Sequence, residues 1–299
     1  MTRYGFVGLG NLGRQLAASL VRAGFPLVVH DARPDAADGL DATWASSPRA
    51  VAEQSDAVFT CLPSPAVVDA VVAGDDGILA GLRRGGTWID SSTNDVHELQ
   101  RLATLAAERG VDVLEAPVTG GVHLAATGEI TVIVGGDAEV AAAHAPAFDA
   151  IGEKVFHVGP LGSASTIKVI TNLLAFIHLV AAGEALMLAD RAGLDLAQAF
   201  EVIRASSGTS FVHETESQVI LNGSYDIGFT LDLACKDLGL ALELGREHGV
   251  PLVLGDLVAA QFDLARERYG GTAWSPMVVK LLEDAVGADL RAPGFPSRL

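Results

Sequence analysis

Lysine is scarce in this 299-residue chain, and one of its lysines interrupts a long apolar run. Lys154, Lys168, Lys236 and Lys280 are the only lysines among 20 basic residues, so generic cationic positions are filled by arginine. Lysine, unlike arginine, shifts its pKa readily on burial, which makes it usable as a base. Lys168 lies in Gly159–Arg191, an apolar run interrupted by few polar side chains: Lys168, Asn172, His178 and Glu184. Asn172 follows Lys168 by four residues, so on a helix the two project from one face, a turn apart. A buried amine needs partners or a task, and here an amide stands beside it. A solvated lysine on the first helical turn fits this segment equally well.

Two further constellations point to anion binding. Gly8-Leu9-Gly10-Asn11-Leu12-Gly13 is a GxGxxG run between an apolar strand and a helical pattern. In such a run the first glycine makes the turn, the second admits a pyrophosphate to the backbone and the third packs helix on strand. Helix amides and the helix dipole then face the phosphates. The next strand ends in Asp31, followed by Ala32 and Arg33. An acidic residue there accepts hydrogen bonds from ribose hydroxyls and repels a 2′-phosphate, which favours NAD over NADP; Arg33 softens that preference. The third constellation is Glu115-Ala116-Pro117-Val118-Thr119-Gly120-Gly121. Thr119 offers a hydroxyl, and Gly120 and Gly121 expose amides that can cradle a carboxylate or phosphate oxygen. His123, just beyond, reads as an ordinary surface histidine on the next helix.

The elements that must position these groups alternate strand and helix. Strands are expected at 3–7, 26–30, 57–61, 87–90, 111–115, 130–134 and 155–158, with helices at 12–22, 47–54, 67–73, 96–109 and 138–151. Such alternation implies a parallel, doubly wound α/β sheet of the Rossmann type, whose ligands sit beyond the carboxyl ends of the strands. The loops at Leu62-Pro63, at Thr93 and at 116–121 follow strands and should face a cofactor. Ser or Thr in 91–93 is a ready cap for the helix beginning near Val96. After Gly162 only helical patterns appear: the long run just described, then 196–205, 214–221, 231–247, 254–269 and 278–285. The expected domains are therefore a dinucleotide-binding domain over 1–161 and an all-α domain over 162–299, built on a long central helix. The tail from Asp289 on, with Pro293, Gly294 and Pro296, reads as mobile.

The totals narrow the function classes. A net charge of −17 and the lack of a basic cluster argue against nucleic acid. Lysine, asparagine and glutamate inside the long apolar run argue against a membrane span. Two cysteines, Cys61 and Cys235, and no targeting segment fit a reducing cytoplasm. The eight histidines show no metal-ligand spacing, so no metal is expected. A helix apolar on nearly every side needs more cover than a small domain supplies, which predicts a homodimer or homotetramer.

Taken in order, the motifs resemble the β-hydroxyacid dehydrogenases of the 3-hydroxyisobutyrate dehydrogenase type across essentially the whole chain. Gly5–Gly13 looks like the cofactor motif, and Glu115–Gly121 like the substrate loop usually written DxPVSGG. Gly159–Asn172 looks like the catalytic segment GxxGxGxxxKxxxN, and Lys236–Leu242 like the later KDLxxA motif. Departures are Leu12 for a usual methionine, Glu115 for Asp, Thr119 for Ser and Thr171 for Asn. They bear on the substrate more than on the reaction.

The resemblance implies a small 3-hydroxy acid as substrate and NAD, less readily NADP, as cofactor. Gly8, Leu9, Gly10, Asn11, Leu12, Gly13, Asp31, Ala32, Arg33, Leu62, Pro63, Thr93 and Lys236 are then cofactor residues. Thr119, Gly120 and Gly121 bind the carboxylate, Lys168 is the acid–base group, Asn172 orients, and Phe211 lines the substrate end, with Phe229 more simply in the core. Two other readings remain: an NADPH-dependent reductase of small semialdehydes, and a non-catalytic dinucleotide-binding scaffold. Retention of Lys168 and Asn172 speaks against the scaffold.

Overall fold

The computed structural model of the chain describes residues 2–299. Two compact units divide after Lys168: residues up to Lys168 form the first and Val169–Leu299 the second. The long helix that carries Lys168 begins in one and continues in the other.

In the first unit, short apolar strands alternate with helices. The order is β1 (Tyr4–Val7), α1 (Gly13–Arg22), β2 (Leu27–His30), β3 (Thr43–Trp44), α2 (Pro48–Ala52), β4 (Ala57–Thr60), α3 (Pro65–Ala73) and α4 (Ile78–Gly81). There follow β5 (Thr87–Asp90), α5 (Val96–Glu108), β6 (Asp112–Glu115), β7 (Val118–Thr119), α6 (Val122–Thr127), β8 (Ile130–Gly136), α7 (Ala138–Ile151) and β9 (Gly152–Gly159). The strands join one sheet in the order β3-β2-β1-β4-β5-β6-β8-β7, with β9 on β8. From β3 to β6 every pairing is parallel. Burial on both faces suits their near-continuous apolar sequence.

The expectation of a wholly parallel sheet needs one correction. β8 runs antiparallel to β6 and to β7, while β9 is parallel to β8. The link from β6 to β8 runs through β7 and α6, and β7 folds back onto β8 as an antiparallel pair. Strand order reverses between β1 and β4, the place where open α/β sheets bind ligands. Two apolar layers, around Leu16, Phe59 and Phe148 on one face and Val51, Trp88 and Leu99 on the other, sandwich the sheet.

The second unit is helical. After α8 (Ser163–Arg191) come α9 (Leu196–Arg204), α10 (Phe211–Asn222), α11 (Leu231–Glu247), α12 (Val253–Tyr269) and α13 (Lys280–Val286). α8 is long and apolar enough, by length and composition, to cross a bilayer. In this fold it is a core helix instead: Phe176, Leu179, Leu186 and Met187 pack with Phe262, Leu238 and Ile220. It is not wrapped on every side, as its sequence suggested. Ile170, Leu174, His178, Ala181, Ala185 and Leu188 form an exposed stripe.

The tail is not loose either. Leu290 is fully buried, and its amide donates to Glu283 Oε1 at 2.8 Å. Arg291 reaches the same oxygen at 2.9 Å, and the Tyr225 hydroxyl donates to the other. Asn222 donates to the Phe295 carbonyl, and the Phe295 ring meets Phe200 edge-on. A buried carboxylate needs donors, and Glu283 on α13 draws part of its set from the tail. Proline and glycine spacing carried no sign of that.

One buried polar group in the sheet unit makes a pH-dependent contribution. His144 of α7 accepts or donates to the Tyr4 hydroxyl at 3.0 Å and to Thr87 Oγ1 at 3.1 Å. Burial lowers its pKa below the ordinary histidine value, with Asp112 opposing more weakly. The unfolded chain therefore takes up the proton first, near pH 6.5, and folding stability falls as pH drops through that value. Urea midpoints at pH 7.5 and 5.5 should show this loss, and His144→Gln should reduce it; equal pH dependence in the two proteins would refute it.

Candidate functional site

The glycine loop is shaped around an absent side chain. Gly8 has φ +98°, and a Cβ there would run into the Cys61 carbonyl just past β4. A Cβ on Gly13 would meet the Gly8 carbonyl. Packing within the chain thus demands both glycines. Gly10 differs: nothing lies within 4 Å of the position its Cβ would take. Open space over a loop amide, at the N-terminus of α1 and at the strand reversal, fits a pyrophosphate. Leu9 turns its side chain into the core and donates its amide to Asp31 Oδ2 at 2.7 Å. Asn11 is exposed and Leu12 packs partly on the core.

Asp31 sits at the end of β2, beside β1. Its second oxygen accepts the Arg33 amide at 2.8 Å, so two backbone amides fix the carboxylate at the rim of the loop. Ala32 and Arg33 are exposed next to it.

The loops after β4 and β5 are tied to each other. The Leu62 amide donates to Ser92 Oγ at 2.9 Å. Asp90, at 1% exposure, accepts from Thr60 Oγ1 at 2.8 Å, the Ser92 amide at 3.0 Å and Asn94 Nδ2 at 2.9 Å. Burial pushes the Asp90 carboxyl upward and these donors pull it back. Pro63 is exposed and Thr93 half-buried beside these residues in sequence. The cap of α5 is Asp95, which accepts the Glu98 amide at 2.9 Å. The expected Ser/Thr cap does not form, because α5 begins at Val96 and its capping position falls on Asp95, beyond Thr93.

At the end of β6 the structure reassigns Glu115. It is 1% exposed and lies against the first turn of α8, where it accepts from Gly162, Ala164 and Ser165. Thr119 lies on β7, and Gly120 and Gly121 follow with φ +127° and +90°, conformations that require glycine. His123 is half-buried, and that burial lowers its pKa. Lys168 is one turn beyond Ser165 on α8 and is 8% exposed. The solvated-lysine alternative is thereby removed.

In the helical unit, Asn172 donates from Nδ2 to Asp237 Oδ2 at 2.6 Å. Lys236 Nζ lies 2.8 Å from Asp237 Oδ1. Asp237 itself is 1% exposed. It therefore fixes which way the Asn172 amide faces, leaving the amide oxygen as its acceptor end. Phe211 begins α10 and is 54% exposed, whereas Phe229 packs on the core and stacks on Phe176 at 6.3 Å. Asp90 and Asp237 were missed by sequence reasoning. A carboxylate closing an apolar strand, and one adjoining a rare lysine, were the available signals.

Comparisons with known proteins cover most of the chain. Residues 3–159 match the model of the NAD-binding domain of 6-phosphogluconate dehydrogenase, and residues 162–282 that of the NAD-binding domain of NADP-dependent 3-hydroxyisobutyrate dehydrogenase. The chain is 33% identical to 2-(hydroxymethyl)glutarate dehydrogenase of Eubacterium barkeri over 96% of this chain and 97% of the relative. It is 34% identical to NAD-dependent L-serine dehydrogenase of Pseudomonas aeruginosa (96% and 100%) and 35% identical to the mitochondrial 3-hydroxyisobutyrate dehydrogenase of Mus musculus (86% and 79%). Among solved structures, Mycobacterium tuberculosis 3-hydroxyisobutyrate dehydrogenase with L-serine superposes with a TM-score of 0.83 at 30% identity, covering 94% of this chain and 99% of that one.

Replacing Asp237 by alanine releases both Asn172 and Lys236. The expected result is a loss of about tenfold or more in kcat/KM, since misoriented groups forfeit reactive geometry. Steady-state rates test this, and wild-type rates in a folded Asp237→Ala protein would contradict it.

Proposed function

The chain belongs to the β-hydroxyacid dehydrogenases, the family of 3-hydroxyisobutyrate dehydrogenase, and from that premise we propose that it oxidises a small 3-hydroxy acid with NAD, using Lys168 as general base. It is a hydroxyacid dehydrogenase that takes a nicotinamide dinucleotide and a small-molecule substrate. The observation that carries the finer reading is the burial of Lys168, one turn before Asn172, on a helix whose first turn is fixed.

The substrates named for the relatives, 2-(hydroxymethyl)glutarate, 3-hydroxyisobutyrate and L-serine, share one chemical core. Each is a carboxylate bearing a CH2OH on its α-carbon. We assign this chain to that class, with the third substituent left to pocket shape. Thr119 and the amides of Gly120 and Gly121 hold the carboxylate. Lys168 Nζ takes the hydroxyl proton while the carbinol hydrogen leaves as hydride, and the product is an aldehyde. A nicotinamide ring bound beyond the strand ends supplies the hydride acceptor. In reverse, the lysine ammonium protonates the aldehyde oxygen. An amine with an ordinary pKa near 10.4 must be lowered to work at neutral pH, and burial acts in that direction. Asn172 aligns the substrate hydroxyl through its amide oxygen, Phe211 lines the substrate end, and Lys236 lies at the cofactor end.

Gly8–Gly13 and the loops at Leu62-Pro63 and Thr93 hold the dinucleotide. Asp31 supports NAD over NADP, because a fixed carboxylate accepts from ribose hydroxyls and repels a 2′-phosphate. Residues 1–161 serve as the dinucleotide-binding domain and 162–299 as the substrate and dimerisation domain. Cys61 and Cys235 are thiols and not a disulfide, which suits a reducing cytoplasm.

The exposed apolar stripe on α8 supports a homodimer or homotetramer in which a second copy covers it. Sedimentation should give an oligomer at micromolar concentration, and a monomer throughout would contradict this. Initial rates over a panel of 2-substituted 3-hydroxypropionates should favour NAD over NADP. Lys168→Ala should lose turnover by about a hundredfold or more while still binding NAD; retained turnover would refute the assignment.

A further inference from the structure

The first turn of a helix leaves backbone amides without intrahelical acceptors. In α8 those amides are served by a carboxylate from another element. Glu115 Oε1, at the end of β6, accepts from the Gly162 amide at 2.6 Å and the Ala164 amide at 2.8 Å. Its Oε2 accepts from the Ser165 amide at 2.9 Å and the Ser165 hydroxyl at 2.5 Å. All four donors belong to one turn, and negative charge at a helix N-terminus also complements the helix dipole. The opposite side is equally constrained. Gly135 of β8 pairs with Glu115 in antiparallel register, and a Cβ on Gly135 would run into Glu115 Oε1. The carboxylate is thus boxed between a bare strand position and the helix it holds.

Ser165 precedes Lys168 by three residues, one turn on the same helical face. Wherever the first turn is pinned, the rotation and rise of Lys168 follow.

We propose that Glu115 is a positioning residue for the dehydrogenase reaction: it pins the first turn of α8 to the end of β6 and so fixes Lys168, and Gly135 supplies the space that lets it do so. This rests on Lys168 being the acid–base group.

The test pairs Glu115→Gln with Gly135→Ala, and takes Ser165→Ala as a mild third variant in case Gly135→Ala does not fold. Glutamine keeps the shape but turns an NH2 toward amide donors. Alanine at 135 keeps the charge and displaces it sterically. Glu115→Gln and Gly135→Ala should each lower kcat by about tenfold to a hundredfold, with the Kd for NAD within about twofold of wild type. Ser165→Ala, which removes one donor of four, should lower kcat less. Amide hydrogen exchange over 162–168 should accelerate in all three variants, a readout that needs no turnover. Unchanged exchange in Glu115→Gln overturns the pinning. Faster exchange with wild-type kcat and pH profile overturns the positioning role and leaves Glu115 merely structural. If Lys168→Ala keeps its turnover, the acid–base reading falls by itself, separately from the exchange result.

Discussion

A carboxylate removed from water must be met by donors, and the structure spends its strand ends on meeting that demand. Glu115 shows it most fully. The strand that delivers it, the glycine that makes room for it and the helix turn that satisfies it come from three separate parts of the chain. None of the three is interpretable alone. Together they determine where a 29-residue helix begins, and that helix carries the buried amine.

The same device recurs along the carboxyl ends of the strands in the sheet unit. Asp31 closes β2 and takes the amides of Leu9 and Arg33. Asp90 closes β5, holds Thr60, Ser92 and Asn94, and through Ser92 reaches the loop after β4. In each case a strand supplies the rigid support and a short acidic side chain organises the neighbouring loop. In the helical unit Asp237 does the equivalent for Asn172 and Lys236. Loops are ordinarily the mobile part of such folds; here carboxylates at the strand ends tie these loops to the sheet.

Much of the architecture was legible in the sequence because it rests on local periodicity. The strands at 57–61 and 87–90, the helices at 138–151 and 231–247, and the GxGxxG turn all appear where the pattern places them. The rest depends on pairings between distant residues. That β8 runs antiparallel is expressed in its pairing with β6 and β7, not in its own composition. Glu115 read as part of a substrate loop because its motif neighbours are Thr119 and the two glycines, while its partners lie 47 to 50 residues on. The tail read as mobile because its prolines and glycine are local, whereas Glu283 and Phe200, which hold it, are not. Lys168 stood out in the sequence for a different reason: it is one of four lysines among 20 basic residues, and it lies in an apolar run.

The most direct measurement is the distance from Lys168 Nζ to the substrate oxygen in a crystal of the protein with NAD and an unreactive 2-substituted propionate analogue. The account requires Nζ within about 3 Å of the oxygen that loses its proton, hydrogen-bond range for a general base. An amine turned to bulk solvent, with another side chain in contact with that oxygen, would contradict it.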